Sequence, residues 1–110
     1  MQVLEYWYDM KEFYRTGYGH TIHAKLGCVP IKNLVKAFQD RIGKNSAAPP
    51  SGVFLLSHDT LLNQVMTFLD LFHDNIKMRE TTFEALRRDR KWKVSKFSPF
   101  ASNIGAVLYE

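Results

Sequence analysis

The residues of this 110-residue chain best suited to chemistry are an adjacent histidine and aspartate, His58 and Asp59. They lie where an apolar run, residues 53–56, gives way to an amphipathic stretch that begins at Thr60. A protonated imidazole can donate a hydrogen bond to a phosphoryl oxygen, and a neighbouring carboxylic acid can protonate a departing alkoxide. At a helix N-terminus, free backbone N–H groups also favour an anion. The structural alternative is a satisfied core or N-cap histidine beside an aspartate that caps the helix.

Helical periodicity predicts three helices around this pair. Apolar side chains recur at helical spacing in residues 3–15 and 60–72, and a further helix is predicted to start at Pro30 and to end at Gly43. The intervening segments are predicted to be loops or short excursions; they are residues 17–29, 43–52 and 73–98.

Two apolar stretches are predicted to be strands. Residues 53–57 are short, apolar and without alternation, as expected of a strand that is buried on both faces. Residues 104–109 are predicted to be a final strand near a sheet edge. A helix, linker, strand and helix in this order favour the α/β class, with helices flanking a sheet. His58 and Asp59 would then lie at the carboxyl end of a strand, where ligands bind in α/β proteins.

Three stretches of the sequence resemble a single family, and they occur in the family's own order. They are residues 52–62, which contain the His58-Asp59 pair, residues 9–20 followed by Cys28, and residues 99–109. All three are similar to segments of the histidine phosphatases of the acid phosphatase and phytase branch, and most closely to the multiple inositol polyphosphate phosphatases. The resemblance covers nearly the whole chain and implies part of a phosphoglycerate-mutase-like sheet with flanking helices.

Two departures from the family pattern affect what the resemblance implies. The inositol polyphosphate branch commonly has His-Ala-Glu where this chain has His58-Asp59-Thr60, whereas His-Asp is usual in the acid phosphatases and microbial phytases. The family's nucleophile lies in an Arg-His-Gly-x-Arg-x-Pro motif near the start of the protein, and this sequence contains no Arg-His-Gly. We therefore expect residues 1–110 to be the C-terminal portion of a histidine phosphatase catalytic domain.

The resemblance implies hydrolysis of phosphomonoesters through a phosphohistidine, with inositol polyphosphates as the expected substrates. In this scheme His58 contacts the transferring phosphate and Asp59 protonates the leaving oxygen. The chain would supply only the proton-donor half of the site, and the missing N-terminal part would supply the rest, so the chain alone is expected to be inactive. The family mechanism requires no metal or other cofactor. The alternative is a non-catalytic pseudo-phosphatase or interaction domain that lacks the nucleophile.

Composition limits the class of protein and its partners. A hydrophobic content of 45% and an aromatic content of 14% indicate a folded chain, and the formal charge of +4 suits an anionic partner. No apolar run is long enough to cross a bilayer. The chain carries no signal of location, but the resemblance implies the secretory pathway, either the endoplasmic reticulum lumen or secretion. Cys28 is the only cysteine, and it is either a free thiol or the partner of a cysteine outside this sequence.

Two further groups of polar residues have both functional and structural interpretations. A cluster after a glycine turn could approach an anionic substrate or form a solvated loop; it comprises Tyr18, His20, His23 and Lys25. Zinc is not expected at His20, His23 and Cys28, because no fourth ligand is in place. The basic run 87–93 surrounds Trp92 and could bind nucleic acid, but such runs are usually solvated faces and nucleic acid is not an expected partner.

Overall fold

The computed structural model describes residues 1–43 and 50–109. Three helices account for most of the regular structure: α1 is Gln2–Arg15, α2 is Ile22–Ile42 and α3 is Asp59–Phe68. A 3₁₀ turn at Glu80–Thr82 leads into two single-turn helices, which are α4 at Phe83–Leu86 and α5 at Val94–Phe97. No described residue belongs to a strand.

The predicted α/β class, a sheet flanked by helices, is therefore wrong for the described residues. Residues 53–57 and 104–109, both predicted to be strands, have no regular secondary structure. Their apolar side chains are exposed, with Phe54 at 90% and Leu56 at 97% of full exposure. A strand needs neighbouring strands to pair its N–H and C=O groups, and the described residues supply no such partner. An apolar run makes pairing favourable but cannot create the sheet by itself.

The helix predictions are correct in kind, but the boundaries of two helices differ. The helix at residues 3–15 is confirmed as α1. Helix α2 begins at Ile22 and contains Pro30 within it, so part of the predicted loop 17–29 is helical. Helix α3 ends at Phe68 instead of residue 72, because the following turn places Asp70 and Phe72 at positive φ values of 55° and 59°. Of the predicted connector 43–52, residues 44–49 lie outside the described part of the chain.

An aromatic core joins α1 to the C-terminal part of the chain. Trp92 and Met78 are fully buried, and the Trp92 ring packs edge-on against Phe13 at 6.3 Å between centroids. The indole Nε1 of Trp92 donates to the backbone oxygen of Asp9 at 3.1 Å. Four of the six residues in this core belong to the segment predicted to be a loop; the six are Tyr6, Phe13, Met78, Leu86, Trp92 and Val94.

Helices α2 and α3 pack together through a close backbone approach at Gly27. A Cβ atom at this position would overlap the backbone of Gln64 and Val65, so only glycine permits the contact. Beyond this contact α2 continues to Ile42, whose side chain is 67% exposed. The described chain is elongated as a result, with principal extents of 57 × 25 × 22 Å. None of the described helices has the length and hydropathy needed to cross a membrane.

Candidate active site

His58 and Asp59 lie at the exposed start of α3. His58 is the N-cap residue, with φ −109° and ψ 167°, and its backbone oxygen accepts hydrogen bonds from the N–H groups of Leu61 and Leu62 at 3.1 and 3.3 Å. The His58 side chain makes no capping hydrogen bond. The Asp59 carboxylate accepts a hydrogen bond from the Thr60 N–H at 2.7 Å. The backbone therefore fixes where both side chains start, and the His58 imidazole is left without a structural role at the helix cap.

This arrangement suits an anionic ligand for two physical reasons. The positive end of the α3 dipole lies beside both side chains and favours a phosphate group, although the N–H groups of Thr60 and Leu61 are already bonded to Asp59 and His58. Both side chains are also exposed, so a ligand in solution can reach them. Asp59 is the first residue of α3, and the bond it accepts from Thr60 is local to the helix N-terminus; the N-cap position itself belongs to His58.

Two buried polar residues connect α3 to the end of α1. Asn63 Nδ2 donates to Thr16 Oγ1 at 3.1 Å, and both residues are completely buried. Thr16 Oγ1 in turn donates to the backbone oxygen of Glu12 at 2.9 Å. Asn63 lies four residues after Asp59 and therefore on the same side of the helix. Together with the Gly27 contact, this chain of hydrogen bonds holds α3 in place.

The far end of α3 is held by Tyr18. Its hydroxyl donates to the Leu71 backbone oxygen at 2.6 Å, and its ring stacks on His73 with centroids 4.0 Å apart. The His73 Nδ1 lies 2.7 Å from Asp70 Oδ1, which closes the turn after the helix. Burial raises the pKa of Tyr18, and the nearby Asp70 and Asp74 carboxylates raise it further. The phenol therefore keeps its proton and remains a donor to Leu71.

The predicted polar cluster after the glycine turn does not form one site. Tyr18 faces the core, and the Nε2 atom of His23 is hydrogen-bonded to the Tyr14 backbone oxygen at 3.1 Å. His20 and Lys25 are exposed. Within residues 1–43 and 50–109, no group of three histidine, cysteine, aspartate or glutamate side chains is placed to hold a metal ion.

The basic run 87–93 is divided between the surface and the core. Arg90 is buried and donates to Asp9 through its Nε at 2.8 Å. Trp92 is fully buried, so its ring is not available to stack on a nucleobase. This run serves the fold, with only part of its positive charge facing solvent.

The sequence reasoning missed the residues that hold α3, namely Thr16, Gly27 and Asn63. Asn63 gave no signal of this role, because it lies beside the predicted apolar face of the helix, where a polar residue is expected to face solvent. Gly27 gave none either, because it lies in the predicted loop 17–29, where a glycine is ordinary. Thr16 gave no signal apart from its position at the end of α1.

Comparison with known proteins identifies the family. The family model for the histidine phosphatase superfamily, branch 2, matches residues 1–110, and the chain belongs to that superfamily. Multiple inositol polyphosphate phosphatase 1 of Drosophila melanogaster is 33% identical over 108 residues, which cover 98% of this chain and 22% of the fly protein. The human protein of the same name is 26% identical over 111 residues, covering 98% of this chain and 23% of its own length.

The chicken protein of that name is 22% identical over 111 residues, covering 98% of this chain and 25% of its own length. The chain thus spans about a quarter of the length of the curated relatives it matches. No solved structure matches the chain significantly.

Proposed function

We propose that this chain is the C-terminal portion of a longer histidine phosphatase, here called the longer enzyme, which hydrolyses inositol polyphosphates through a phosphohistidine. In this proposal His58 donates to the transferring phosphoryl group, and Asp59 protonates the leaving inositol oxygen. The observation that carries the proposal is the placement of the His58-Asp59 pair at the exposed N-terminus of α3, in a chain matched by the family along its whole length.

The charge requirements of phosphoryl transfer support this assignment of roles. The transition state spreads negative charge over the equatorial oxygens, which need hydrogen-bond donors, while the bridging oxygen needs an acid. The His58 imidazole is a donor of the first kind, and the positive end of the α3 dipole adds to it. Asp59 is next to His58 in the chain and exposed, so it can reach the bridging oxygen when protonated. The positive net charge of the chain agrees with a substrate that carries several phosphates.

The exposed apolar segments support a longer parent protein. The run Val53–Leu56 holds four apolar side chains that are between 56% and 97% exposed, immediately before the proposed site. Such a run is costly to leave in water and is typical of a surface that another part of a protein covers. We propose that the rest of the longer enzyme covers it and supplies the nucleophilic histidine and the phosphate-binding arginines. From the family resemblance, we further propose a location in the secretory pathway.

The proposed roles are tested by comparing substrates that differ only in how much their leaving group needs a proton. In the longer enzyme, Asp59→Asn should lower kcat/KM for an inositol phosphate by about a hundredfold to ten-thousandfold, the usual range for general acid catalysis. Its effect on nitrophenyl phosphate should be much smaller, because nitrophenolate leaves without a proton. His58→Ala should impair both substrates, since it removes a donor to the phosphoryl oxygens. Equal losses on both substrates for Asp59→Asn would reduce this residue to a helix cap.

The 110-residue chain alone should release no phosphate from inositol hexakisphosphate, because it contains no Arg-His-Gly nucleophile motif. The measurement is steady-state phosphate release by the purified chain, with His58→Ala as the matched control. Turnover that this substitution abolishes would refute the division of the site between two parts of a longer protein.

The second candidate function is a non-catalytic pseudo-phosphatase or interaction domain. The absence of Arg-His-Gly from this sequence is the observation that favours it. Sequencing the transcript upstream of the Met1 codon separates the two candidates. An encoded Arg-His-Gly-x-Arg-x-Pro motif supports the phosphatase, and an upstream stop codon or an unrelated sequence supports the pseudo-phosphatase.

A further inference from the structure

We infer that Thr16 and Asn63 are positioning residues for the proposed acid, and that they act by fixing the rotation of α3 about its axis. This inference rests on the proposed function of Asp59. It assigns a part in the reaction to two residues that lie in the fold and not at the surface where the substrate would bind.

Two kinds of contact hold α3 against its neighbours. The Gly27 contact brings the α2 backbone against the backbone of Gln64 and Val65, which fixes the separation of the two helices. The buried side chains of Val65 and Met66 add apolar packing, which is not directional and therefore opposes a small rotation of the helix only weakly. A rotation of α3 by a small angle would therefore move Asp59 while leaving the helix contact in place.

The hydrogen bond from Asn63 Nδ2 to Thr16 Oγ1 opposes this rotation. It is directional, 3.1 Å long and completely buried, so breaking it leaves two polar groups without water. Asn63 is about one helical turn from Asp59, so a bond that fixes the rotation of α3 at Asn63 also fixes the direction of the Asp59 Cα–Cβ bond.

The Thr16 end of this hydrogen bond is itself anchored. Its hydroxyl donates to the Glu12 backbone oxygen at 2.9 Å, within the last turn of α1. The buried Glu12 carboxylate is held by Arg15, whose Nε lies 3.1 Å from both carboxylate oxygens. Lys11 Nζ lies 3.3 Å from Glu12 Oε1. The end of α1 that holds Asn63 is thus fixed by hydrogen bonds and ion pairs, and not by apolar packing alone.

The test uses Thr16→Val in the longer enzyme, because valine keeps the shape of threonine and removes only the hydroxyl. A misplaced acid harms only substrates that need a proton. We therefore expect a loss in kcat of about tenfold to a hundredfold for an inositol phosphate, the scale of catalytic misplacement, and a loss below about threefold for nitrophenyl phosphate. Thr16→Ser keeps the hydroxyl and should retain near-normal kcat on both substrates. Thr81→Val is the matched control, since Thr81 is exposed and far along the chain.

A purely structural role predicts a different pattern. Loss of folded enzyme would lower kcat equally for both substrates. Leu86→Ala, in the aromatic core, is the comparison variant for this outcome, and the thermal stability of both variants is to be measured alongside kcat. Equal losses on both substrates for Thr16→Val, or no loss on either, would overturn the inference if Asp59→Asn still distinguishes the two substrates. If Asp59→Asn does not distinguish them, or if no longer enzyme is encoded, the proposed function fails and the positioning role fails with it.

Discussion

The buried ion pair between Arg90 and Asp9 gives the sharpest test of how the fold is held together. Both side chains have no exposed surface, and the Asp9 carboxylate accepts hydrogen bonds from Arg90 Nε at 2.8 Å and from the Val94 N–H at 2.9 Å. Arg90→Met would leave that carboxylate buried with only the Val94 N–H to stabilise its charge. Removing one partner of a buried pair costs about 3–5 kcal/mol.

The matched control lies two residues earlier in the same basic run. Arg88 is exposed, so Arg88→Met should change the free energy of unfolding by no more than about 0.5 kcal/mol. The two variants make the same chemical change and the same change in net charge. Their difference therefore isolates the buried pair from the general effect of losing a positive charge.

The Arg90→Met effect should depend on pH in a definite direction. Burial already raises the pKa of Asp9, and Arg90 is the main group that opposes this rise. Without Arg90 the pKa of Asp9 rises further in the folded state. At pH values between the unfolded-state pKa and the folded-state pKa of Asp9, the folded protein therefore binds more protons than the unfolded protein. Stability then falls as pH increases through that window. Arg90→Met should consequently be less destabilising near the ordinary pKa of an aspartate than at pH 7.

Urea unfolding followed by Trp92 fluorescence measures both effects, in a Trp7→Phe background that leaves one tryptophan. With a slope of about 1–3 kcal/mol per molar urea, a loss of 3 kcal/mol lowers the midpoint by about 1 M or more. At pH 7, a midpoint for Arg90→Met equal to that for Arg88→Met would refute the reasoning. So would a destabilisation that is unchanged between pH 7 and pH 4.5.

Two further predictions concern packing and assembly. Gly27→Ala should destabilise the chain by about 1–3 kcal/mol in the same unfolding assay, because the new Cβ meets the backbone of Gln64. The control is Gly105→Ala, which should be neutral because a Cβ at that position has no atom within 4 Å. The isolated chain should self-associate in sedimentation velocity, because the apolar run Val53–Leu56 is exposed, and a clean monomer with a sharp cooperative melt would contradict this.

Local sequence patterns were sufficient for most of the helices. The apolar spacing in α1 and α3 indicates a helix in each case, and this periodicity is a property of neighbouring residues. It does not give the buried residues, since α1 buries Asp9 and Glu12 and residues 63–67 of α3 are buried in succession. The same kind of information failed at Pro30, which favours a helix start but lies inside α2, eight residues after the helix begins. Local propensity makes some backbone conformations more favourable than others, and tertiary packing decides which of them forms.

The sequence alone determined the His58-Asp59 pair and its place at the start of a helix, because a strand-like run followed by an amphipathic stretch is read from adjacent residues. Only the tertiary structure decided that Arg90 and Trp92 of a basic run turn inward and that Asn63 meets Thr16. These contacts join residues 47 or more positions apart, and no local pattern specifies them. The same reason accounts for the incorrect sheet prediction, since strands exist only with partners, and pairing is a property of the whole fold.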